Sequence, residues 1–66
     1  MNDSEILQTA QVLIESHGDN AWFEASQRAD HCYEDGKLNA FANWQRILKT
    51  IEALQNIHIG RTSARH

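Results

Sequence analysis

KLNAFANWQRILKTIEALQNIH, residues 37–58, is the stretch on which the fold turns. In it Lys37, Ala40, Phe41, Trp44, Ile47, Leu48, Ile51, Leu54, Gln55 and His58 recur at alternating steps of about three and four residues, the spacing of one face of an α-helix. Arg46, Lys49 and Ala53 fall on the opposite side. The rhythm predicts a long helix over about 39–58, capped by Asn39 and roughly 28 Å in length at the usual rise per residue.

Outward from that helix, glycine punctuates the chain. Gly18, Gly36 and Gly60 each follow an amphipathic stretch, and proline is absent from the sequence. A glycine just past a helix end takes the positive φ that closes off the last carbonyls. Two further helices are therefore expected, over about 3–16 and 20–34. In the first, Asn2 and Glu5 have the spacing of a capping box. Ile6, Leu7, Ala10, Leu13, Ile14 and His17 form its apolar stripe, with Val12 off it. Asp19 or Asn20 is the expected cap of the second, whose inward face holds Trp22, Ala25, Ala29, Cys32 and Tyr33. Ala21, Ala25 and Ala29 make a low ridge that lets a neighbouring helix approach closely. Phe23 points away from Trp22, at the border or into water. The expected fold is all-α: one domain over 1–60, an antiparallel up-down-up three-helix bundle with a long third helix and a flexible tail at 61–66. Its centre is expected at Trp22, Tyr33, Phe41, Trp44, Leu48 and Ile51.

The segment over residues 17–55 resembles a family of small helical proteins from alphaproteobacteria for which no activity is established. The resemblance lies in the turn His17-Gly18-Asp19, the pair Arg28-Ala29, the turn Gly36-Lys37, and Trp44, Arg46, Ile47, Ile51 and Leu54 in a W-x-R-I-x-x-x-I-x-x-L helix. Lys37 departs from the pattern, which tends to carry an acid there. The resemblance implies helix boundaries and no chemistry.

Composition narrows the function classes. A chain of 66 residues is one small domain with a thin core, which needs close helix packing or self-association to be stable. Cys32 is the sole cysteine, so no disulfide within the chain supplies that support. No secretory h-region, membrane-spanning run or lipidation motif is seen, and a lone thiol suits a reducing compartment, so the expected location is cytoplasmic with no membrane partner. Charge is divided unevenly. Residues 1–35 carry Asp3, Glu5, Glu15, Asp19, Glu24, Asp30, Glu34 and Asp35 against Arg28; residues 36–66 carry Lys37, Arg46, Lys49, Arg61 and Arg65 against Glu52. Such asymmetry fits a basic third helix lying across two acidic ones, or contact of the basic half with nucleic acid.

The chemistry-bearing residues form no catalytic constellation. His31 and Cys32 are adjacent and diverge by about 100° on a helix, so they cannot hold one ion together. His17, His58 and His66 add no zinc-like spacing. Cys32 on an apolar face reads as a small hydrophobe, and no phosphate loop or nucleophile elbow is present. No enzyme, metal, cofactor or small-molecule substrate is expected. Two readings remain. The favoured one is a non-enzymatic interaction or regulatory module that binds a protein partner or itself as a homodimer. Its surface is the end of helix 3, where Leu54, Ile57, His58 and Ile59 continue apolar past the shorter helices, together with Phe23. The alternative is a nucleic-acid-binding regulator using Asn43, Arg46, Lys49, Arg61 and Arg65. Against it stand the overall acidity, pI about 5.7, and a poor helix-turn-helix signature.

Overall fold

The computed structural model describes residues 1–55. These adopt an all-helical fold of three α-helices, α1 (Asp3–His17), α2 (Ala21–Glu34) and α3 (Leu38–Gln55), with a 3-10 turn Gly18–Asn20 between the first two. The capping box at the start of α1 forms in full. The Glu5 backbone N–H donates to Asn2 Oδ1 at 2.8 Å, and the Asn2 backbone N–H donates to Glu5 Oε1 at 3.2 Å. Asp3 and Glu5 lie at the positive end of the helix dipole, where acids are favourable.

The two described glycines work differently. At the α2–α3 turn the Lys37 N–H donates to the Cys32 carbonyl at 2.8 Å and the Gly36 N–H to the Tyr33 carbonyl at 3.1 Å. This is the paired pattern of a Schellman motif, with Gly36 at φ +75° as the residue past the cap. Gly18 has φ +57° but ψ −126°, outside the left-handed helical well and open only to glycine. Its N–H still donates to the Ile14 carbonyl, and the chain re-enters a helical turn at once. Neither Asp19 nor Asn20 caps α2 through its side chain, contrary to expectation. Both are taken up in the 3-10 turn, and Asn20, at ψ 2°, lacks the extended backbone from which a capping side chain reaches back. Asn39 is likewise no cap, because α3 already includes Leu38.

The core is smaller and more aliphatic than expected. Its buried residues are Ile6, Ala10 and Leu13 of α1, Ala21, Ala25 and Ala29 of α2, and Ile47, Leu48 and Ile51 of α3. The alanine ridge is buried as expected and gives α2 a close approach to its neighbours. Ile14, Trp22, Phe41 and Trp44 pack against this core while only half-buried. Four residues of the expected stripes are exposed: Leu7, Lys37, Leu54 and, most clearly, Tyr33, at 63%.

The register of the helices explains that exposure. α2 and α3 make the most extensive pairing and run in opposite senses: Trp22 meets Glu52, Arg28 meets Trp44 and Tyr33 meets Phe41. α1 lies beside α3 in the same sense, Asp3 against Arg46 at one end and Gly18 against Gln55 at the other. Fifteen residues separate Asp3 from Gly18 but only nine separate Arg46 from Gln55, so the long Arg46 side chain spans part of an offset and α1 starts somewhat nearer the N-terminus of α3 than Arg46. The first two turns of α3, and the end of α2 opposite them, contribute no residue to the buried core. Every fully buried residue of α3 lies at or after Ile47, and every one of α2 at or before Ala29. The described molecule measures 39 Å along its longest axis, against roughly 27 Å for α3 itself. The overhang expected at the C-terminal end of α3 falls, apart from the exposed Leu54, outside the described residues; among the described residues the N-terminal turns of α3 also lie outside the core.

Candidate interaction surface

Of the residues expected to bind a partner, two lie within the described chain. Phe23, in the first turn of α2, is 54% exposed, and Leu54, in the last turn of α3, is 48% exposed. Both stand at the end of the molecule where Gln55 Nε2 donates to the Gly18 carbonyl at 2.9 Å. They sit on different helices, Phe23 on α2 and Leu54 on α3. Ile57, His58 and Ile59 lie outside the described residues, as do Arg61 and Arg65, Gly60 and the tail at 61–66.

The basic strip is placed as follows. Asn43 is half-buried and Lys49 is exposed. The Arg46 guanidinium donates to the Asp3 carboxylate, both on the surface. Arg46, Lys49 and Thr50 line an open groove with Asp3, Ile6 and Leu7 of α1. The acidic first helix and the basic third thus meet within one chain at this point. An exposed pair of this kind contributes little to stability but occupies the strip's central cation.

A second groove runs between α2 and α3, lined by Glu24, Gln27, Arg28, His31, Cys32 and Trp44. The Arg28 guanidinium lies over the Trp44 ring, 5.8 Å from its centroid, and pairs with Glu24 at 3.8 Å. A cation on an indole face is favourable, and the favourable order of the Glu24–Arg28 pair adds to it. Cys32 is half-buried there as a free thiol. On the other edge of the pairing Trp22 Nε1 donates to Glu52 Oε2 at 2.9 Å, so a half-buried indole has its one donor satisfied. Among the described residues no three His, Cys, Asp or Glu side chains converge as an ion would need, and no helix is long and apolar enough to cross a membrane.

Sequence reasoning missed the most exposed apolar group. Tyr33, Leu38 and Phe41 gather at the tip of the α2–α3 hairpin, with Tyr33 and Phe41 rings 5.3 Å apart and tilted by 53°. Tyr33 and Leu38 are 63% and 62% exposed. Asp30, Glu34, Asp35 and Lys37, on the last turn of α2 and in the connection to α3, are all exposed. Tyr33 reads as core because it continues the alanine stripe, and only the starting level of α1 reveals otherwise. A hint was present: α3 is longer than either companion, and the excess can fall at either end. Set beside protein-family models, curated proteins and solved structures, the chain matches none.

Proposed function

We propose that the chain is a non-enzymatic interaction module, an up-down-up three-helix bundle that binds a protein partner or a second copy of itself through the end of α3. Leu54 carries the reading. Ile51 has no exposed surface, yet Leu54, three residues on and next on the same apolar stripe, is 48% exposed. The sequence beyond it continues with Ile57 and Ile59. An apolar stripe that outruns its cover is a docking feature, and a 66-residue chain gains stability by mass action when one is filled.

The nucleic-acid reading has less support. Arg46 is engaged by Asp3, and α2 would present Asp30, Glu34 and Asp35 to phosphate. The test is cross-linking of the tagged full-length protein in its host, followed by the mass of the recovered complexes. The expected result is an adduct, to itself or to another protein, that disappears in a Leu54→Glu, Ile57→Glu variant with unchanged helical circular dichroism. If no adduct forms, or if it persists in that variant, the α3 end is not a docking surface.

A further inference from the structure

The hairpin tip is an apolar face without cover, and the same chain contains a segment of complementary chemistry. Near Tyr33, Leu38 and the half-buried Phe41 along the chain are the exposed Asp30, Glu34 and Asp35, three carboxylates against the one cation Lys37 of the turn. Residues 56–66, NIHIGRTSARH, hold Ile57, Ile59, Arg61 and Arg65 and no acid at all. Two branched apolar side chains followed by two arginines match an aromatic patch with a carboxylate rim. Chain length decides whose segment it is. From Leu38 to Gln55, α3 spans about 25 Å. Extended chain from Gln55 carries Ile57 no further than about 7 Å and Ile59 about 14 Å. Neither isoleucine can reach its own hairpin tip.

We propose that the occupant is a second copy of the chain, which lays Ile57 and Ile59 over Tyr33, Leu38 and Phe41 and brings Arg61 and Arg65 to Asp30, Glu34 and Asp35. A two-fold axis makes the exchange reciprocal, so that each copy is both donor and acceptor and the assembly closes as a dimer. The proposal rests on the reading of the chain as an interaction module, and it names both the partner and the receiving surface. The carboxylate rim makes the association weaken as salt rises, because charges at an exposed rim are screened.

Sedimentation equilibrium of the full chain tests it, with Leu38→Glu as the acceptor variant and Ile57→Glu, Ile59→Glu as the donor variant. Leu38 is so exposed that its substitution leaves the fold intact, which circular dichroism and melting verify. The expected results are a dimer for the natural chain and an association weakened by roughly tenfold or more in each variant. An equimolar mixture of the two variants regains dimer, since the acceptor variant's intact segment meets the donor variant's intact tip. A dimer indifferent to Leu38→Glu overturns the proposal and leaves an interaction module with another face. A monomer that melts earlier in the Ile57→Glu, Ile59→Glu variant means that the segment packs on its own chain, and this also overturns it. So does a strict monomer whose tip captures a different protein, although the interaction reading then stands.

Discussion

Ile51 loses its entire surface to the core, whereas Trp44 is only half-buried and Tyr33 is 63% exposed. Burial, not side-chain size, therefore ranks their substitutions. Ile51→Ala is expected to cost about 3 kcal/mol, the transfer of the lost methyl and methylene groups plus the cavity they leave. Trp44→Ala costs about 2 kcal/mol, below the roughly 3–5 kcal/mol that a fully buried ring would imply, and part of the loss is the Arg28 contact over its face. Tyr33→Ala costs less than about 1 kcal/mol, as surface changes do. Urea denaturation of the three variants checks the order, and a Tyr33 loss equal to that of Ile51 contradicts the exposed tip. At this scale the stripe of α3 was readable in its spacing, down to Ile47, Leu48 and Ile51. Tyr33 was not, because a periodic face tells which side of a helix turns inward and nothing of how far along its length a neighbour extends.

The boundaries of α1 and the end of α2 are set by different local devices, and the devices differ in how far sequence reveals them. The Asn2–Glu5 box is written in two residue types at fixed spacing and forms as read. Asn2→Ala is expected to cost about 1 kcal/mol in thermal or urea melts, against only a few tenths for Asp19→Ala or Asn20→Ala, whose side chains cap nothing. Gly36 was equally readable as a stop, and the Schellman bonds make it one. Gly18 marks a stop too, but its backbone lies outside the left-handed helical well that a closing glycine usually takes. That conformation is set by the immediate restart of the chain into a 3-10 turn, which no residue spacing announces. Gly36→Ala is accordingly expected to cost about 1 kcal/mol and Gly18→Ala about 2 kcal/mol, since only the latter asks alanine to adopt a glycine-only region. No atoms stand where either Cβ would go, so the penalties are conformational rather than steric packing. Equal losses at the two glycines would contradict the separate backbone states.

Across the whole molecule, stability is concentrated at one end. The three buried alanines of α2 and the three buried residues of α3 are opposite one another, under α1, while the hairpin tip relies on the Tyr33–Phe41 contact and the turn hydrogen bonds. Helix lengths alone could not reveal this, because the excess of α3 reads the same whether it projects forwards or backwards. The Asp3–Arg46 contact fixes the direction, and it joins groups 43 residues apart that no local pattern connects. Uneven cover has a dynamic consequence. Segments with few buried apolar contacts open at lower free energy than the global unfolding, whereas core segments open only with the whole chain. Amide hydrogen exchange should therefore divide α2 and α3 each in two. Protection is expected to be greatest around Ala25, Ala29, Ile47, Leu48 and Ile51, and about tenfold or more lower around Tyr33, Phe41 and their neighbours, the difference that about 1.4 kcal/mol of local opening produces. The measurement also bears on the dimer. At concentrations where two copies associate, the tip should gain protection while the already slow core amides change little, because filling the exposed face stabilises the segment that α1 leaves bare. Uniform exchange along both helices would mean that the tip is held as firmly as the core, and the stagger of α1 would then have no bearing on where the molecule opens.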